Sequence, residues 1–262
     1  MSPSARSSTG FTRWLADLEA RHLRDMTTTE VARALRALSS TYVERRSRLS
    51  DRGAFDTAGK RAAYALYYAP RRYLTVTHVL AQVGAPATPL HVVDLGCGTG
   101  AAGAAWAMHA GAGSSVLGVD VHPWALEETR ATLRDFSLQG QTRRLAVSAA
   151  AALWKDGKSR GDAPRATGIM LSYVVNELGG DERAALLTAL MEAARHGTRV
   201  FVMEPLSRRT SPWWNGWVDT VTAAGGRADE WRVHLEPPPI TLALGQATGL
   251  DAVEATGRTL WI

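Results

Sequence analysis

The chain has 262 residues, 45% hydrophobic and 21% charged, which is enough apolar mass for a full core and far from a disordered composition. No run approaches the roughly 18 consecutive apolar residues of a membrane span, and the N-terminal MSPSARSSTGFTRW lacks a signal peptide's apolar stretch, so a soluble, cytoplasmic protein is expected. A single cysteine, Cys97, excludes an internal disulfide, and no cysteine or histidine cluster has zinc-ligand spacing, so no metal is expected. The net charge of +5 is uneven: residues 1–90 carry 14 Lys+Arg against 7 Asp+Glu, the remainder 16 against 18. Such a basic segment suits phosphate, and equally suits the solvated faces of ordinary helices.

The first 84 residues read as three or four helices forming a cap or lid. Val31, Leu35, Leu38 and Tyr42 recur at helical spacing, with Thr28 or Thr29 as the cap and Arg45, Arg46 and Arg48 crowding the C-terminal end. A second helical stretch runs from Thr57 to Val83, where Pro70, lacking an amide hydrogen, is expected to break or kink it. From His91 short apolar runs alternate with helical stretches, the signature of a parallel sheet covered by helices. Strands are expected at His91–Asp94, Ser115–Asp120, Arg144–Val147, Gly168–Val174 and Arg199–Glu204. Helices are expected near Thr99–His109, Pro123–Phe136, Asp181–His196 and Pro212–Ala224. Glu230–Leu235 and Arg258–Ile262 follow as two last strands around a short helix, and Lys155–Thr167 reads as an exposed loop. The fold class is α/β, a doubly wound domain over residues 85–262.

The most informative segment is His91-Val-Val-Asp-Leu-Gly-Cys-Gly-Thr-Gly100. A buried strand delivers Asp94; Gly96, Gly98 and Gly100 then let the backbone, Cys97 included, turn tightly against a ligand, and the next helix aims free amides at it. Asp120, with Val121 beside it, ends the second strand about 20 residues on, where a carboxylate binds ribose hydroxyls. Gly98-Thr-Gly100-Ala-Ala-Gly103 also satisfies a dinucleotide fingerprint, which keeps an NAD-binding oxidoreductase in view. An acid at position 94 would repel a pyrophosphate and welcome a ligand ammonium.

The run Val-Val-Asp-Leu-Gly-Cys-Gly-Thr-Gly resembles motif I of the class I S-adenosylmethionine-dependent methyltransferases, and the resemblance implies a seven-stranded sheet whose last strand is antiparallel. Upstream, Tyr64-Ala-Leu-Tyr-Tyr-Ala-Pro-Arg-Arg-Tyr73 is similar to the ribosomal-small-subunit-associated methyltransferase-like family. The first resemblance implies S-adenosylmethionine as cofactor, S-adenosylhomocysteine as product, and Asp120 as the ribose ligand. It places Ser148 and Ala149, after the third strand, beside the adenine, and a cation such as Arg71 or Arg72, with Tyr68 near, on the methionine carboxylate. Ser148 is also an ordinary loop serine, and either arginine is also an ordinary surface side chain.

After the fourth strand, Ser172-Tyr-Val-Val-Asn-Glu-Leu178 stands at the crevice end of the sheet, giving Tyr173, Asn176 and Glu177 a catalytic address and Ser172 one beside the cofactor. Glu177 either takes a proton from the acceptor or caps the next helix. Tyr64, Tyr67, Glu204, Trp213 and Trp214 are candidates for the acceptor side, and helix packing explains the aromatic residues as well. The expected activity is methyl transfer to a small-molecule acceptor. An RNA acceptor, or a cofactor-binding assembly factor without activity, is the alternative that the basic segment and the upstream resemblance favour.

Overall fold

The computed structural model describes residues 3–44, 55–155, 166–207 and 211–262. The proposed cluster of Arg45, Arg46 and Arg48 lies outside these residues, as do most of the Lys155–Thr167 loop and the side chain of Tyr42.

Helices α1 (Pro3–His22) and α2 (Thr28–Glu44) open the chain. Thr27, rather than Thr28 or Thr29, caps α2: its hydroxyl accepts the Glu30 amide at 3.3 Å while the Glu30 carboxylate accepts the Thr27 amide at 2.8 Å. A continuous helical rod follows, made of α3 (Ala58–Ala63), a wide π-type turn over Tyr64–Tyr68, and α4 (Ala69–Gln82). Pro70 does not break it. The Ala69 amide reaches back five residues to the Tyr64 carbonyl, and Pro70 falls directly after that turn, in the first turn of α4 where a missing amide hydrogen costs nothing.

The α/β part then runs β1 (Leu90–Leu95), α5 (Ala101–Ala110), β2 (Ser115–Asp120), α6 (Pro123–Asp135), β3 (Gln139–Arg144), α7 (Ala152–Lys155), β4 (Ala166–Ser172) and α8 (Gly180–Arg195). It closes with β5 (Arg199–Glu204), α9 (Trp214–Ala223), β6 (Arg227–His234), α10 (Pro239–Thr248) and β7 (Glu254–Trp261). The seven strands lie in the order β3-β2-β1-β4-β5-β7-β6, parallel except that β7 runs antiparallel to both its neighbours. The expected third strand at Arg144–Val147 is corrected: β3 is the polar run Gln139–Arg144, nearly all exposed at the edge of the sheet, so no apolar pattern marks it.

Alternation along the strands sorts the core into two faces. Val92, Met170, Phe201 and Met203 pack with residues of α1, α2, α4, α5 and α10, while Val93, Leu95, Ile169 and Leu171 pack with α8 and α9. The N-terminal helices thus share one apolar cluster with the sheet. Trp14 of α1 is fully buried against Tyr73 and Phe136, and its indole N–H donates to Thr132 Oγ1 at 3.0 Å. Around it, Glu128 of α6 accepts hydrogen bonds from Arg21 at 2.7 Å and lies 3.1 Å from His22 Nε2. Among the described residues no helix is long and apolar enough to cross a membrane.

Candidate functional site

The parallel strands end at a cleft of about 1440 Å³, bounded by the glycine turn, the loops after β2, β3, β4 and β5, the π-type turn and the approach to β7. That volume exceeds the roughly 300–1,000 Å³ of most small-ligand pockets, so two ligands fit side by side.

The glycine turn is held from both sides. Gly96 has φ +66°, and a Cβ there would lie 2.4 Å from the Val174 side chain, so only glycine fits. The Gly98 amide donates to Asp120 at 3.0 Å, and the other oxygen of Asp120 accepts from the His122 amide at 2.9 Å. Asp120 is therefore clamped as a carboxylate at the lip of the cleft, with lone pairs remaining for a ligand. Val121 beside it is 57% exposed, the one exposed large apolar side chain among the described residues. With Leu145 and Ala146 it lines the cleft.

Asp94 stands behind the turn rather than in the cleft. It is buried, accepts the Gly103 amide at 3.0 Å, and would meet any Cβ at position 103 at 2.7 Å. Burial, with the Asp120 charge adding to it, holds its carboxyl up at about 7. Cys97 is buried with its thiol accepting from Thr129 Oγ1 at 3.2 Å, and burial raises its thiol well above the ordinary range.

The helical rod supplies the opposite wall. Tyr64 and Tyr68 line the cleft, whereas Tyr67 is buried with its hydroxyl donating to the Asp251 carbonyl at 2.9 Å. Burial pushes the Tyr64 hydroxyl up to about 12, so it remains a donor. Phe55 adds an edge-on ring 4.9 Å from Tyr64 and another tilted contact at 4.8 Å to Trp124. The two arginines differ. Arg71 spends Nε and Nη2 on the carbonyls of Ala252 and Glu254, at 3.2 and 2.6 Å. Arg72 lies 3.5 Å over the Tyr173 ring and donates to Ser172 Oγ at 2.8 Å, with no carboxylate bound to it among the described residues.

The β4 loop carries the remaining groups. Tyr173 holds φ +63°, a conformation uncommon for a residue with a side chain, and its amide donates to the Met203 carbonyl at 2.7 Å. Glu204, ending β5 and fully buried, accepts the Val175 amide at 2.8 Å and the Asn176 side-chain amide. Burial, against the pull of the Val175 amide, raises its carboxyl to about 8. Asn176 Oδ1 in turn accepts from Ser211 Oγ at 2.7 Å and Trp213 Nε1 at 3.0 Å. Glu177 opens into the cleft without capping α8, whose first residues instead receive Glu182 on the Gly179 amide at 2.9 Å. The protein surrounding Glu177, with Asp120 nearby, holds its carboxyl up at about 7.

Of the remaining candidates, Ser148 and Ala149 sit on an exposed short turn just past the lining residues Leu145 and Ala146. Trp214 and Trp217 are buried against the sheet, and Trp213 reaches the site through its indole N–H alone. Leu145, Ala146, His122, Trp124 and Phe55 line the cleft without having been singled out in the sequence. The first two are simply the residues that follow β3 once that strand ends at Arg144. Among the described residues no group of His, Cys, Asp and Glu is placed to hold a metal ion.

The strand order, the antiparallel β7, and the glycine turn facing an acid at the end of β2 define a class I S-adenosylmethionine-dependent methyltransferase fold. Several solved structures similar to this chain are described as methyltransferases, at low sequence identity. A SAM-dependent methyltransferase from Aquifex aeolicus is 15% identical, covering 72% of this chain and 89% of its own, with TM-score 0.43. A candidate RNA methyltransferase from Pyrococcus horikoshii is 16% identical over 72% of this chain and 82% of its own, TM-score 0.42. The plantazolicin methyltransferase BamL, bound to SAH and a triazolic desmethylPZN analog, is 10% identical over 89% and 97%, TM-score 0.44. No curated protein sequence matches. The profile of the family described as mitochondrial small ribosomal subunit Rsm22 matches residues 58–215, more than half of the chain. The chain belongs to the Rsm22 family.

Proposed function

We propose that the cleft binds S-adenosylmethionine and that the protein transfers its methyl group to a small-molecule acceptor. The observation that carries this reading is Asp120, fixed by the Gly98 and His122 amides at the lip of the cleft beside the exposed Val121. The residues fit the cofactor. Asp120 would hold the ribose hydroxyls, Val121, Leu145 and Ala146 would flank the adenine, and Arg72 would offer its remaining donors to the methionine carboxylate. When bound, the cofactor supplies a methyl group on a sulfonium, and the S–C bond breaks with its electron pair left on sulfur. The protein's own part is to align the acceptor, exclude water and take up a proton, for which Glu177 has the position.

A small acceptor is favoured because, among the described residues, the four arginines that line the cleft are matched by Asp120, Glu127, Asp251 and Glu254, which leaves no excess of cations. A surface tracking phosphates needs such an excess. Titration calorimetry tests the cofactor: S-adenosylmethionine and S-adenosylhomocysteine are expected to bind and NAD not to. Asp120→Ala should weaken binding by about 1.5–3 kcal/mol, the range for hydrogen bonds to a charged group. Binding of NAD without response to either methyl-cofactor form overturns the reading.

Family membership supports a second reading, in which the acceptor is RNA of the small ribosomal subunit. Micromolar RNA binding that falls steeply with salt, together with methyl incorporation into that RNA, would establish it over the first.

A further inference from the structure

The side chain of Asn176 has its polarity fixed by its neighbours. A tryptophan indole N–H can only donate, so the Asn176 atom 3.0 Å from Trp213 Nε1 is the oxygen. That oxygen also accepts from Ser211 Oγ at 2.7 Å, which fills both its lone pairs. The nitrogen side then donates one hydrogen to Glu204. Among the described residues one N–H is left over, and Asn176 lines the cleft. Asn176 is thus a donor to whatever lies beside it and has no capacity to accept.

Resting on the methyltransferase reading, we infer that the acceptor presents an oxygen nucleophile, a hydroxyl on a small, flat molecule, and that Asn176 selects it. A hydroxyl oxygen has two lone pairs, so one can accept the Asn176 N–H while the other attacks the methyl carbon. An amine nitrogen has a single lone pair. A donor beside it would occupy the electrons needed for attack, and its hydrogens would face a group unable to accept them. In the transfer, the new O–C bond forms from an oxygen lone pair, the S–C bond of the donor breaks with its pair on sulfur, and the hydroxyl proton passes to Glu177. Glu204 and Trp213 are positioning residues in this scheme: they touch Asn176 and not the acceptor. The rings of Tyr64, Tyr68 and Tyr173 on the cleft wall favour a flat acceptor.

The test is calorimetric titration of the S-adenosylhomocysteine-loaded protein with two matched probes, catechol and ortho-phenylenediamine, which differ only in hydroxyl against amino groups. Catechol is expected to bind about tenfold tighter, one hydrogen bond's worth. Asn176→Asp, which exchanges the free donor for an acceptor, should abolish or reverse that preference. Trp213→Phe, which frees one lone pair on the Asn176 oxygen, should narrow it. S-adenosylhomocysteine affinity should stay within about twofold in both variants, which shows that each still folds. Equal affinity for the two probes in the unaltered protein, undetectable binding of both included, overturns the inference, as does a preference that survives both substitutions. Loss of S-adenosylhomocysteine binding in the unaltered protein is a different failure, that of the cofactor reading itself.

Discussion

A carboxyl held near neutrality in the cleft would tie activity to pH through its ionised form if it takes part in the reaction. Glu177 is raised to about 7 by the protein around it and by Asp120, and only its carboxylate can accept a proton. The carboxylate predominates above that value and is lost below it. If Glu177 takes the acceptor's proton, kcat/KM is expected to fall about tenfold per pH unit on the acid side of 7 and to level off above it. Glu177→Gln should lower the rate by about 10²–10⁴-fold and flatten this limb. A variant that retains the limb would move the titrating group elsewhere, Glu204 at about 8 being the next carboxyl in the cleft.

At the scale of elements, α1 carries more of the fold than an appended helix would. Trp14 is fully buried against the stacked rings of Tyr73 of α4 and Phe136 beside α6, and it satisfies the buried hydroxyl of Thr132. Trp14→Ala should therefore cost about 3–5 kcal/mol, the range for an aromatic deletion in a core, read as a lowered denaturant midpoint. Elements with a strong pattern were legible in the sequence: β1 and its glycine turn, Asp120 at the end of β2, and the apolar face of α2. What was not legible has physical causes. Edge strand β3 buries too little to need apolar residues, and its polar run gave way to the neighbouring Leu145–Val147. The residues after β3 that line the cleft are Leu145 and Ala146, a few positions before the expected Ser148 and Ala149. Phe55 and the Trp213–Asn176 bond join positions far apart in the chain, and no local spacing encodes such contacts. Pro70 does not break the helix because the wide turn just before it leaves the proline in the first turn of α4.

For the molecule as a whole, the apolar cluster is the decisive feature. Residues of α1, α2, α4 and α5 and one face of the sheet belong to one cluster, so the helices preceding β1 have no separate core to melt. A single thermal transition is expected, with the calorimetric enthalpy equal to the van't Hoff enthalpy. Two resolved transitions would assign the N-terminal helices to a unit of their own. The charge imbalance between the first 90 residues and the rest does not contradict a shared core, because the arginines of α1 and α2 lie mostly on the outer faces of those helices.

The wide turn over Tyr64–Tyr68 holds one residue more than a regular helix would use. Each residue of an α-helix rotates the chain by about 100°, so losing one residue there would let the hydrogen bonds close in the ordinary pattern. Such a loss after Tyr64 would swing Phe55 and Tyr64 together around the rod and away from Trp124. Helix regularity would improve while the aromatic wall left the cleft. Along this stretch the protein is therefore graded in its tolerance of substitution and abrupt in its tolerance of deletion: chain length itself, more than the identity of any one side chain, is what a descendant sequence must preserve.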